Sequence, residues 1–330
     1  MSSSSSTPID FNLIKQLTLQ EAKAVDKLII DELQSDVILI NQIGLYIVGN
    51  GGKRLRPMLL LLAAKALGEA NQNHLILAAV IEFIHTATLL HDDVVDESDL
   101  RRGKESANAV WGNAASVLVG DYLYSSAFEM MVRTNNMRVM GLLSKTTTAI
   151  AEGEVLQLLN CNNPETTESK YLEVIARKTA ILFSAATQLA AIISGSTEEI
   201  EMGLANYGQH LGIAFQLIDD ALDYTSNAEE LGKNLGDDLA EGKPTLPLIY
   251  AIQNGTAEEA ETIVNAIKTG NRDVFNDVYA IVKRTKAIDY TEARADEEAK
   301  KAIDSLSILP ESDYKNALIL LAKFAVQRNY

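Results

Sequence analysis

The chain has a single cysteine, Cys161, in 330 residues, so no intramolecular disulfide staples it and no thiolate cluster holds a metal. That scarcity fits a reducing compartment. Prolines number only six, and most fall where a helix should start or stop: Pro57 after GGKRLR, Pro164 in NCNNPET, Pro244 and Pro247 in EGKPTLP. The four histidines, His74, His85, His91 and His210, form no HExxH pattern, which argues against a zinc site. Positive charge is also short. With 29 Lys and Arg against 45 Asp and Glu, the net charge is −16, which speaks against nucleic acid as a partner. Apolar runs such as MLLLLAAKALG from Met58 are broken by charge before the roughly 20 residues that span a bilayer, so no transmembrane segment is expected. The leading MSSSSSTPIDF lacks the basic and apolar regions of a secretory signal. Residues 1–8 are therefore expected to be a disordered tail, residues 9–330 one domain, and the location cytoplasmic.

Apolar residues at three- and four-residue spacing, as in Ile14, Leu17, Ala24, Leu28 and Leu33, predict an all-α fold with few strands. Helices are expected over 10–32, 36–48, 55–68, 74–98, 106–118, 120–134, 138–160, 168–194 and 198–224, with shorter ones to the end. Two of them, 74–98 and 198–224, finish alike: an apolar run and then Asp-Asp-x-x-Asp, in ATLLHDDVVD and AFQLIDDALD.

In a helix, Asp92 and Asp96 stand about 6 Å apart along the axis on one face, with Asp93 beside them. Asp219, Asp220 and Asp223 repeat the arrangement. A solvated acidic face is the competing reading. Against it, Thr86 to Leu90 and Val94–Val95 surround the first cluster with small and apolar side chains, so part of it faces an interior or a cleft. Like charges crowded there need a cation. Mg²⁺ suits them, because it binds through one or two carboxylates plus phosphate oxygens and water. Two such clusters converging across a bundle would clamp one diphosphate.

Basic residues gather around these motifs. GGKRLRP places Lys53, Arg54 and Arg56 after a glycine pair at a helix start, where amides and cations suit an anion, although an exposed basic loop would read the same. Arg101 and Arg102 follow DDVVD, and arginine forks bind phosphate oxygens bidentately. Lys178-Thr179 lies in a long apolar helix that the threonine can bend by bonding back to a carbonyl. Lys233 and Lys243 flank GKNLGDDLAEGKP, a candidate mobile lid.

GGKRLRP, EFIHTATLLHDDVVDESDLRRG, GNAASVLVGDYL, AEGEVLQL, KTA, FQLIDDALDY and GKNLGDDLAEGKPTLPL occur in the order found in trans-isoprenyl diphosphate synthases, which the chain resembles over nearly its whole length. The wording is most similar to bacterial octaprenyl diphosphate synthases. The resemblance implies a single large all-helical bundle with a central elongation cavity, a homodimer, and a transient membrane contact at product release. It implies three Mg²⁺ with substrate bound, on Asp92, Asp93, Asp96, Asp219, Asp220 and Asp223. Arg101, Lys178, Lys233 and Lys243 would contact the allylic diphosphate; Gly52, Lys53, Arg56, His85 and Arg102 would bind isopentenyl diphosphate. Lys178, Thr179 and Gln216 would act in catalysis, the last two directing dipoles at an allylic cation. Ala87 and Thr88, small where short-chain members often carry a bulky aromatic, would leave the cavity open. Phe128, with Met130 and Met131, is a candidate floor, or simple core. The implied reaction is condensation of isopentenyl diphosphate onto an allylic primer, farnesyl diphosphate, to an octaprenyl product for a quinone side chain. Geranylgeranyl, hexaprenyl and solanesyl products stand as alternatives. A terpene cyclase would usually lack the second aspartate motif, and a non-catalytic partner subunit would be expected to lose one of the motifs; neither loss is seen.

Overall fold

A computed structural model describes residues 11–49, 52–68, 70–225 and 236–327. Helices α1 (Phe11–Gln16), α2 (Leu19–Glu32), α3 (Ile38–Gly49), α4 (Leu55–Ala66) and α5 (Gln72–Val95) lead to a small hairpin, β1 (Leu100–Arg101) and β2 (Lys104–Glu105). Then come α6 (Ala107–Trp111), α7 (Asn113–Arg133), α8 (Met137–Asn160), α9 (Glu168–Ile175), α10 (Ile181–Ile193) and α11 (Glu198–Thr225). Shorter helices follow: α12 (Asp237–Ala240), α13 (Leu246–Asn254), α14 (Ala257–Thr269), α15 (Phe275–Arg284), α16 (Ala287–Ser305) and α17 (Asp313–Gln327). The fold is all-α, and the hairpin is the only sheet among the described residues.

Helices α4, α5, α10 and α11 form the middle of the bundle. Every residue from Pro57 to Ala64 on α4 is buried, and α10 buries Leu182 to Thr187 without a break. Helices apolar all round have to be enclosed by others. Where α11 crosses the start of α10, a Cβ on Gly212 would lie 2.5 Å from the Ala180 Cα, so the missing side chain lets two backbones meet. Among the described residues α5 alone is long and apolar enough to cross a bilayer, contrary to the expectation that no stretch reaches that length. Much of its apolar face, including Leu77, Val80, Phe83, Ile84 and Leu90, is fully buried in the protein core.

Several helix ends differ from the periodicity. α5 starts at Gln72 because Asn71 caps it: its side chain accepts from the Asn73 and His74 amides, and His74 Nδ1 accepts from the Asn71 amide. It stops at Val95 rather than 98, where Glu97 takes a left-handed conformation at φ 50° that ends the helix without a glycine. The break expected after residue 118 falls instead at Gly112, φ 84°, and Val119 is buried within α7. The first expected helix is split at Leu17–Thr18. The helix expected over 168–194 contains a π turn at Ala176–Ala180 between α9 and α10.

Candidate active site

The first aspartate motif lies on the last turn of α5. Lys178 Nζ donates to Glu154 Oε2 on α8 at 2.6 Å and lies 3.6 Å from Asp92 Oδ2. Lys243 Nζ donates to Asp96 Oδ2 at 2.9 Å and pairs with Glu241 at 2.5 Å. Burial and then the Asp92 carboxylate raise Glu154 to about 7, against the pull of Lys178. For Lys243, burial works against the charge, but Asp96, Glu241 and Asp238 outweigh it and hold the ammonium above its ordinary range. Asp93 is fully buried and committed to Arg101, whose Nε donates to both carboxylate oxygens at 2.7 and 2.8 Å.

The second motif lies near the end of α11. Asp220 accepts from Tyr171 Oη at 2.5 Å and from Gln216 Nε2 at 2.8 Å, and Gln216 Oε1 accepts from Thr179 Oγ1 at 3.1 Å. Thr179 therefore does not bond back along its own helix: its hydroxyl donates across to Gln216 on α11, and the helix is interrupted instead by the π turn. π turns of this kind are frequent at functional sites. Burial, with Asp238 next, raises Asp220 well above the ordinary carboxylate range. Burial, then Asp238 and Asp237, raise Asp223 to about 8, and its Oδ2 is buried without a hydrogen-bond partner.

The basic residues gather on the hairpin and at the start of α4. β1 and β2 pair Leu100 with Glu105 and Arg101 with Lys104, so Arg102 and Gly103 are the turn. Both have positive φ, 54° and 74°, the pattern of a type I′ turn. Arginine in that region costs about 1–2 kcal/mol relative to the right-handed form, and Arg54, at the start of α4, repeats the conformation at φ 48°. Gly52, φ 150°, lies against Arg102: a Cβ there would be 2.6 Å from the guanidinium. Arg56 donates through its NH1 nitrogen to His85 Nε2 at 3.1 Å, since arginine has no acceptor to offer. Burial, then Arg56 and Arg102, depress His85 well below its ordinary value, so the imidazole is neutral. Arg56 itself is pushed down to about 10 by burial, while Glu82 and Asp219 oppose the shift. Its Nε is buried with no partner, and its guanidinium lies 4.4 Å from the Phe183 ring centroid. Lys53 stands over the Phe324 ring at 5.3 Å.

Of the candidate chain-length residues, Ala87 is fully buried, Thr88 donates to the His85 carbonyl at 2.8 Å, and Phe128 packs against the core beside Tyr124. Met130 and Met131 are fully buried. Lys233 and the first residues of the candidate lid, 232–235, lie outside the described residues. Sequence alone passes over Glu154, Tyr171, Asp238 and Glu241. Glu154 and the two acidic residues near Lys243 sit inside the motifs AEGEVLQL and GKNLGDDLAEGKP, which were the available signal.

A divalent cation fits this donor set. Carboxylates whose charge is disfavoured by burial and by one another, one with an orphaned oxygen, are stabilised when a cation arrives. Among the described residues no three His, Cys, Asp or Glu side chains cage an ion on their own. Arg56 Nε in turn is a buried donor without a hydrogen-bond partner.

The polyprenyl synthetase family model matches residues 37–282. The octaprenyl diphosphate synthase of Escherichia coli (strain K12) is 54% identical over 317 residues, 96% of this chain and 98% of its own. An all-trans-nonaprenyl-diphosphate synthase (geranyl-diphosphate specific) of Rhodobacter capsulatus is 50% identical over 310 residues, 94% and 95% of the two chains. Among solved structures, a polyprenyl synthase from Caulobacter crescentus CB15, complexed with calcium and isoprenyl diphosphate, superposes with a TM-score of 0.95 at 44% identity. That match covers 98% of this chain and 100% of the other.

Proposed function

Because the chain belongs to the polyprenyl synthetase family, and is a trans-prenyltransferase, we propose that it extends farnesyl diphosphate by successive 1′-4 condensations of isopentenyl diphosphate to all-trans octaprenyl diphosphate, for a quinone side chain. One observation carries the site: Lys178 and Thr179, neighbours on a π turn, reach different aspartate motifs, Lys178 towards Asp92 and Thr179 through Gln216 to Asp220. The product length is supported by the 54% identity to the Escherichia coli octaprenyl diphosphate synthase and by the small Ala87 and Thr88 on α5. The nonaprenyl relative at 50% identity keeps a longer product as the second reading.

Mg²⁺, three ions by family expectation, would be held by Asp92, Asp96, Asp219, Asp220 and Asp223 together with the diphosphate, and supplies charge neutralisation at the departing diphosphate. Asp93 acts on that site through Arg101. Lys178, Lys243, Arg101 and Lys233 bind and orient the allylic diphosphate. Gly52, Lys53, Arg56, Arg102 and His85 take the diphosphate of isopentenyl diphosphate. For that second anion, the supporting features are the orphaned Arg56 Nε and the Gly52–Arg102 approach. The Thr179 hydroxyl and Gln216 amide, fixed by their mutual hydrogen bond, aim dipoles at the positive charge that develops on the allylic carbon.

Residues 9–330 act as one catalytic domain in the cytoplasm, as a homodimer that touches the membrane transiently at product release. Exposed Leu118 on α7 and Val155, Leu158 and Leu159 on α8 support pairing through those helices. The decisive experiment gives purified protein farnesyl diphosphate, labelled isopentenyl diphosphate and Mg²⁺ and separates the products. A C40 chain is expected, and a different dominant length overturns the product. Asp92→Ala or Asp219→Ala should nearly abolish turnover with the helical fold intact, and near-normal rates in either would overturn the metal site.

A further inference from the structure

We propose that Glu154 is a positioning residue that keeps the Lys178 ammonium off Asp92, leaving that carboxylate open to a divalent cation; the inference rests on the metal reading of the first aspartate motif. The geometry begins with the preceding residue. A Cβ on Gly153 would lie 2.6 Å from the Lys178 backbone nitrogen and 3.0 Å from the Arg177 carbonyl carbon, so α8 runs directly against the π turn. A residue with any side chain at 153 would push the two apart. Glu154 then reaches Lys178 from close range, at 2.6 Å, while Asp92 stands 3.6 Å from the same nitrogen.

The two distances set up a competition. At 2.6 Å the ammonium is hydrogen-bonded to Glu154, and at 3.6 Å it is only within Coulomb reach of Asp92. The Glu154, Lys178 and Asp92 side chains are 29%, 19% and 17% exposed, so solvent weakens the competition without removing it. Without Glu154, the lysine's nearest carboxylate is Asp92, and an ammonium seated there occupies an oxygen that a cation needs. With Glu154, the ammonium stays one short movement from the site, available to a phosphate oxygen.

The test is isothermal titration of Mg²⁺ into protein saturated with inorganic pyrophosphate, which reads binding without turnover. Glu154→Ala should weaken Mg²⁺ binding by about 5-fold, the scale of a partly exposed ion pair. Glu154→Gln, whose amide oxygen still accepts from Nζ, should recover part of it. In a Lys178→Ala background, Glu154→Ala should cost nothing further, because no ammonium remains to fall onto Asp92. An equal loss with and without Lys178 would mean that Glu154 acts by its charge alone, and the positioning role would be overturned. Unchanged affinity in Glu154→Ala, with Asp92→Ala clearly weakened, would overturn this inference and leave the metal reading standing. If Asp92→Ala also binds normally, the metal reading itself fails.

Discussion

Replacing Arg101 with alanine should cost the fold roughly 3 kcal/mol, a loss separate from any effect on substrate. The Asp93 side chain has no exposed surface, and Arg101 is the cation that compensates it, with Nε on both oxygens at 2.7 and 2.8 Å and a terminal nitrogen 2.5 Å from Oδ1. Breaking a buried pair by removing one partner typically costs about 3–5 kcal/mol, because the remaining charge keeps its desolvation and loses its compensation. The Arg101 side chain is 22% exposed, so water can enter the space it leaves, which places the expected loss at the low end. Urea unfolding followed by circular dichroism, without Mg²⁺ or diphosphate, measures it. Adding Asp93→Asn to Arg101→Ala should restore part of the loss, since a neutral amide of the same shape carries the penalty of an unmet polar group, at its low end about 1 kcal/mol, in place of that of an unpaired charge. A single variant within about 0.5 kcal/mol of the parent, or a double variant no more stable than the single one, would refute the reasoning.

Acid should weaken the protein through His85. Its proton affinity is depressed in the folded state, so its contribution is complete above the unfolded value near 6.5 and is lost as pH falls towards the folded value. Urea melts between pH 7.5 and 5.5 should show a smaller decline for His85→Gln than for the parent, and an identical decline would count against a buried neutral imidazole. Thr179→Val and Gln216→Leu should each lower kcat by about 10- to 100-fold with KM nearly unchanged, the signature of a contact made to the transition state; a rise in KM at constant kcat would assign them to ground-state binding. Ala87→Tyr should shorten the product on chromatography, and an unchanged length would mean that the growing chain does not pass α5 at that point.

The two DDxxD motifs were legible because spacing in a helix dictates which carboxylates share a face, and their apolar run-ins announce burial. Their convergence was expected as well, but the side chains that link to each motif were not, since they depend on a lysine and a threonine whose partners lie on other helices. Arg101 was read only as a phosphate ligand, and its second task, the ion pair that holds buried Asp93 eight residues before it, left no mark in the sequence. The end of α5 carried no glycine or proline to mark it, and the start of α7 did carry one, Gly112, inside an apolar stretch whose periodicity masked the break. Glu154 stood in plain view in AEGEVLQL, but nothing local tells an ion-paired glutamate from a solvated one.

The π turn also changes which way the rod faces. In an uninterrupted α-helix, Tyr171, Ile175, Leu182, Ala186 and Leu189 would fall along one stripe, since their spacings follow 3.6 residues per turn. One extra residue in the turn rotates everything after it by about 100° relative to that stripe. Tyr171 and Ile175 accordingly pack with Leu217, Leu222 and Leu246, while Leu182, Ala186 and Leu189 enter the main core with α4 and α5. A single rod thus serves two cores. A one-residue deletion between Ala176 and Ala180 would remove the residue that the π turn absorbs, so a regular α-helix through that point would keep Leu182, Ala186 and Leu189 facing the main core.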